Sequence, residues 1–277
     1  MRDLIGRSSV RNTIVMMRQV ERQKTVLIVE GDSDSRSFGR FVRTSHCRIF
    51  SPGYPGGKEH ALALFDDLKQ KRFPGVAALV DADCDRLWGR NRGGIDICWT
   101  SAADREVMIV QSPAFPKFAK THLFVGDTDA FRLQILKAAF PLGCMRTLNR
   151  RQGWGLDFKL LDYGRFVDAA SVVCDEASCC KEVLARNPNA PVSESDLQVA
   201  IDTVLGRNPS LQDAVCGHDV TAILSLVSRA KLATSLTASQ VEHELDECFE
   251  LAHFIQTSTF DEWVQWEQRN LPYLINA

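Results

Sequence analysis

Carboxylates cluster at two places where an apolar run stops. Residues 25–34 read TVLIVEGDSD, and residues 76–85 read VAALVDADCD. Glu30 and Asp34 follow the first run, and Asp81, Asp83 and Asp85 follow the second. Carboxylates gathered at one place repel each other unless a cation neutralises them. An all-oxygen donor set suits a hard divalent ion such as Mg²⁺. The chemistry that such a cluster offers is metal-assisted hydrolysis.

Each apolar run is short, β-branched and bounded by turn residues, which reads as a fully buried strand of a parallel sheet. In open α/β sheets ligands collect beyond the carboxyl ends of the strands, so both acidic clusters should reach one sheet edge. Between them the pattern predicts a helix over 33–44, a strand over 47–51 and a helix over 58–71. The loop SPGYPGGK ends at Lys58. Glycines before a helix N-terminus let backbone N–H groups approach a phosphate, with Lys58 as a nearby cation. A loop cap with a surface lysine explains the same residues, and the spacing is not that of a Walker A motif. After the second cluster comes RLWGRNRGG, a basic loop carrying Arg86, Trp88, Arg90 and Arg92. Cations for phosphates and a ring for a base would make a nucleic-acid contact; a tryptophan anchoring the loop is the other reading. A short strand is expected over 95–100 and a helix from about 102. There Asp104 is a candidate N-cap and Glu106 a further candidate metal ligand.

The order of these motifs resembles the Toprim superfamily, the metal-dependent domain of topoisomerases, bacterial primases and OLD-family nucleases. Glu30-Gly31-Asp32-Ser33-Asp34 matches its Glu-Gly-x-x-Asp motif, and Asp81-Ala82-Asp83 its Asp-x-Asp. The resemblance covers residues 24–112. With the leading helix, the Gly-Gly-Lys loop and a helical second half, the chain also resembles the AriB-type Toprim effectors of bacterial phage-defence systems. The resemblance implies an α/β Toprim fold, a Rossmann-like parallel sheet flanked by helices, and an endonuclease activity on RNA (transfer RNA included) or DNA. It implies Mg²⁺ or Mn²⁺ held by Glu30, Asp81 and Asp83, with Asp34, Asp85 or Glu106 serving a second ion, and Lys58 countering charge on the phosphate. It further implies control by an ABC/OLD-type ATPase partner, a toxic antiviral role, and a homodimer as a candidate assembly.

Residues 1–23 are expected to form an amphipathic helix, packed on the sheet or facing a partner. The Toprim-like domain should span 24–120 and a mainly helical domain 121–277. In the latter, helices are predicted over 127–148, 171–186, 194–206, 218–231, 238–256 and 260–269, with a break at Pro141-Leu142-Gly143. Residues 156–161 alternate like a strand and should pair with 164–167. Thr237 and Gln240 have the form of a capping box. Arg146, Arg150 and Arg151, followed by Trp154, form a second basic patch, and His218 and Asp219 stand at a helix start, Asp219 as its cap.

The chain has 277 residues, 45% of them hydrophobic and 25% charged, with a formal net charge of −2, so it is not a generally basic binder. No apolar run approaches a membrane span, and the first residues lack the apolar core of a signal peptide, which points to the cytoplasm. Its nine cysteines form no CxxC pair and read as buried thiols rather than a zinc site. Tyr54, Tyr163 and Tyr273 lack a topoisomerase context, and no zinc module suggests a primase. A dehalogenase-type phosphatase would carry Asp-x-Asp on its first strand and leave Glu30 without a role. Phosphodiester hydrolysis remains; the alternative is a degenerate Toprim that binds nucleic acid or a partner without cleaving.

Overall fold

The computed structural model describes residues 7–54, 56–89, 94–231 and 235–276. The chain forms two compact units, each discontinuous in sequence. One comprises Met1–Asp81, Asn91–Ser101 and Leu251–Ala277, the other Ala82–Arg90 and Ala102–Glu250.

The first unit is built on a four-stranded parallel sheet, β1 (Thr25–Ile28), β2 (Cys47–Phe50), β3 (Val76–Val80) and β4 (Ile97–Trp99), in the order β2-β1-β3-β4. Every residue of β1 and β3 is buried, as expected for central parallel strands covered on both faces. Around the sheet lie α1 (Arg7–Val20), α2 (Asp32–Gly39) and α3 (Lys58–Gln70). In α1, Ile14 is buried but Met16 and Val20 are 68% and 86% exposed, so its apolar residues do not all face the interior.

The second unit is mainly helical: α4 (Arg105–Gln111), α5 (Ala114–Leu123), α6 (Thr128–Gln152), α7 (Glu176–Arg186), α8 (Glu194–Leu205), α9 (Leu211–Ala214), α10 (Gly217–Lys231) and α11 (Ala238–Cys248). Several helix starts follow side-chain chemistry legible in the sequence. Thr237 and Gln240 form the expected capping box on α11, and Ser193 caps α8 with Asp196.

Two expectations fail here for local reasons. No break occurs at Pro141: α6 runs unbroken through it. Gly143 marks a close approach instead, since a Cβ there would lie 1.9 Å from the Ala214 carbonyl oxygen at the end of α9. Nor do residues 156–161 form a strand. Asn149 makes both backbone hydrogen bonds that a neighbouring strand would have made with Leu156, accepting from its N–H (2.9 Å) and donating to its carbonyl (3.2 Å). The small antiparallel pair is β5 (Val167–Asp168) with β6 (Val173–Cys174), so α7 starts later than residue 171, capped by Asp175.

The last segment returns to the first unit as α12 (Leu251–Phe254) and α13 (Ser258–Arg269). Glu262 of α13 accepts the Trp99 N–H (2.7 Å), and Thr259 donates to the Trp99 carbonyl (3.0 Å). The polar backbone of edge strand β4 is thereby satisfied by a helix, which protects it from pairing with another strand. Phe254 and Trp263 pack against Phe38 of α2 in an aromatic cluster.

Candidate functional site

Glu30 lies two residues beyond β1, and Asp81 follows β3 directly. Because β1 and β3 are adjacent and in register (Ile28 opposite Ala78), both residues leave the sheet at the same edge. Glu30 Oε1 accepts the Asp81 N–H at 2.8 Å, which fixes the glutamate head over the end of β3. The loop before α3 reaches the same edge: the Gly57 N–H donates to the Glu30 carbonyl (2.9 Å). Gly56 permits that approach, since a Cβ there would stand 3.1 Å from the same oxygen. Lys58 opens α3 and is buried, with its ammonium 4.8 Å from the Trp99 ring centroid. Asp34 Oδ2 accepts the Gly31 N–H (3.0 Å), so this carboxylate helps to fix the start of α2.

The other candidate acids belong to the second unit. Asp83 adopts a left-handed backbone (φ 47°), uncommon for a residue with a side chain. Its N–H donates to the Ala103 carbonyl, and its carboxylate accepts from Arg150 at 2.8 Å. Asp85 leads into the 3-10 turn Arg86–Trp88, and Arg86 pairs with Asp213 at 3.2 Å. Trp88 is half-buried rather than a bare platform: the Arg151 and Arg207 guanidinium carbons lie 4.0 and 3.8 Å from its ring centroid. Arg90 and Arg92 lie outside the described residues.

Asp104 is the N-cap of α4, accepting the Val107 N–H (3.0 Å), and it also accepts the Gly217 N–H (2.6 Å). Burial and the neighbouring Glu106 charge push its carboxyl well above the usual range. Burial pushes Glu106 the same way, but Arg105 and His218 outweigh it and hold Glu106 below its ordinary value. Glu106 is thus engaged by Arg105, which also pairs with Glu242 and Asp246 at 2.5 Å each.

Asp219 is not a helix cap. It is fully buried and takes a bidentate pair from Arg146 (2.8 and 2.7 Å) and a hydrogen bond from the Tyr163 hydroxyl (2.7 Å). Arg146 is therefore withdrawn from the basic patch expected from the sequence. Burial and the Asp219 charge push the Tyr163 hydroxyl up. A cavity of about 1180 Å³ opens beside this network, with Asp83, Arg150, Asp104, Arg146 and His218 in its wall. The signal for these ion pairs in the sequence was opposite charge alone, and the partners are 67 to 141 residues apart or, for Arg105 and Glu106, adjacent.

A divalent ion fits the donor chemistry of Glu30 and Asp81, both hard oxygen ligands. Among the described residues, however, no three His, Cys, Asp or Glu side chains are grouped so that they could hold a metal ion. Mg²⁺ held by only one or two carboxylates fills its remaining positions with water and phosphate oxygens. All nine cysteines are free thiols, buried or half-buried. Among the described residues, no helix is long and apolar enough to cross a membrane. No protein-family model matches the sequence, and neither does any curated protein.

Proposed function

We propose that this protein is a Toprim-type nuclease that hydrolyses phosphodiester bonds in RNA or DNA. The observation that carries the reading is the meeting of Glu30 and Asp81 at the carboxyl edge of adjacent parallel strands, joined at 2.8 Å. The order of strands and acids along the chain follows the Toprim resemblance. Glu30 and Asp81 would hold Mg²⁺ or Mn²⁺, together with Asp83 two residues further on. An ion held there would supply Lewis-acid polarisation of a phosphoryl oxygen and charge for the leaving oxygen. Glu30, whose Oε1 accepts the Asp81 N–H, would take a proton from the attacking water. Lys58, which opens α3 at the same edge, would supply positive charge against a phosphate. The role as a defence effector under an ABC/OLD-type ATPase rests on the resemblance alone.

One observation favours a second reading, a binding module that does not cleave. Asp83 is paired with Arg150 and Glu106 with Arg105, so two of the acids are held by cations of their own unit. Purified protein with Mg²⁺ or Mn²⁺ is to be tested on labelled total transfer RNA, single-stranded RNA, and linear and supercoiled DNA. Glu30→Gln is the blank. Cleavage that disappears with Glu30→Gln supports the nuclease. Substrate binding without Glu30-dependent cleavage, even with the partner ATPase present, selects the binding module.

A further inference from the structure

Trp88 carries more than a loop anchor would need. Two guanidinium groups lie about 4 Å from one indole centroid, Arg151 from the end of α6 and Arg207 from the turn after α8. The two distances put the guanidinium carbons no more than about 8 Å apart, a separation that spans the step between successive phosphates of a nucleic-acid strand. Both arginines are exposed, and among the described residues neither makes an ion pair with a carboxylate. Their neighbours differ in this: Arg86 is paired with Asp213, Arg150 with Asp83 and Arg146 with Asp219. The Trp88 indole N–H is buried without a hydrogen-bond partner among the described residues, a cost that the stack has to offset. A solvated pair of surface arginines gains little from such order. A pair that must present two donor forks at a set distance gains a great deal, because planar guanidinium matches phosphate geometry and ordering beforehand lowers the cost of binding.

We propose that Arg151 and Arg207, held apart by Trp88, form a two-phosphate clamp for a nucleic-acid backbone. It rests on the reading above that nucleic acid is the substrate. Trp88 serves as the spacer of the clamp and not as a platform for a base. Arg151, from the second basic strip of the sequence, lies over Trp88 of the first.

The test is the salt dependence of binding, measured by fluorescence anisotropy on labelled single-stranded RNA and on duplex DNA. All proteins carry Glu30→Gln so that cleavage cannot interfere. Each lost phosphate contact should lower the slope of log K against log salt by about 0.7 for a single strand and 0.9 for a duplex. Arg151→Ala with Arg207→Ala should therefore lose roughly 1.4 to 1.8 of slope in a protein that still melts cooperatively. Arg151→Lys with Arg207→Lys should keep the slope and lose affinity severalfold, because charge survives while the stacked geometry does not. An unchanged slope in the folded alanine pair would overturn the clamp, as would lysine variants binding as tightly as arginine. Poly-glutamate bound as tightly, with the same loss in the alanine pair, would also overturn it and assign the surface to acidic proteins. Cleavage is scored separately on proteins with Glu30 intact. Absence of cleavage with the slope loss preserved sinks the nuclease reading and leaves the clamp standing.

Discussion

Arg105 offers the sharpest test of how the second unit is held together. Its side chain is 2% exposed and its guanidinium touches Glu106, Glu242 and Asp246. Arg105→Met keeps much of the volume and removes the charge that all three acids share. Taking one partner from a buried ion pair costs about 3–5 kcal/mol, since the other charge stays behind unneutralised. Here the acid side chains are 10%, 28% and 19% exposed, so water and proton uptake relieve part of that cost. The lower figure, about 3 kcal/mol, is the expected loss at pH 7. At roughly 2–4 °C per kcal/mol for a unit of this size, the melting temperature should fall by about 6–12 °C. The pH dependence has a definite sign. In the wild type Glu106 is held below its ordinary 4.5, so its contribution is present above 4.5 and is lost as pH falls through the lowered value. Without Arg105 the buried acids should titrate above their unfolded values, stabilising at low pH and destabilising as pH rises. The gap between the two proteins should therefore be widest at neutral pH and shrink on acidification, first as the variant's acids protonate above 4.5 and then as Glu106 of the wild type does below it. Thermal melts followed by circular dichroism between pH 4 and 8 measure this directly. A loss under 1 kcal/mol at pH 7, or a gap that does not narrow in acid, would refute the account.

Two further outcomes follow from neighbouring geometry. Glu242→Gln should behave oppositely to Arg105→Met: burial and the Glu106 charge already raise the Glu242 carboxyl above 4.5. Its contribution is present below 4.5 and fades as pH rises through the raised value, so the Gln variant should gain on the wild type between pH 4.5 and 8; a variant that loses ground over that range counts against it. Gly143→Ala should destabilise by about 1–3 kcal/mol in urea titrations, because the new methyl meets the Ala214 carbonyl oxygen at 1.9 Å. Glycine to alanine inside a helix ordinarily gains about 1 kcal/mol, so a stabilised variant would mean that α9 does not press on α6 there.

The readable part of the chain was the part in which local pattern decides structure. Buried runs such as VLI and VAALV bounded by acids make central parallel strands whatever surrounds them, and the turn glycines mark where each helix can begin. A Thr or Ser three residues before a polar acceptor caps a helix by contacts inside one turn, as at Thr237 and Ser193. The misread stretches are those where a distant partner overrides the local signal. Residues 156–161 alternate like a strand, yet Asn149 supplies the hydrogen bonds of Leu156 and no second strand is needed. Pro141 ought to interrupt a helix, but burial along α6 maintains the helix through it.

The candidate acids show the same division more sharply. Position along the strands was enough to bring Glu30 and Asp81 to one edge, because the parallel register leaves no other outcome once β1 and β3 pair. Position says nothing about which cation each acid meets. Asp83 meets Arg150 across 67 residues, Asp219 meets Arg146 across 73, and Glu106 shares Arg105 with two acids of α11. A carboxylate already paired with a guanidinium must give up that pair before it can serve a metal or a phosphate. The availability of an acid for chemistry is therefore set by the arginines that the fold delivers to it. Glu30 and Asp81 are tied to each other by a backbone contact at the sheet edge, where Glu30 Oε1 accepts the Asp81 N–H. For Asp83 to serve a metal, its pair with Arg150 would have to open, an exchange that a phosphate arriving on that arginine would favour.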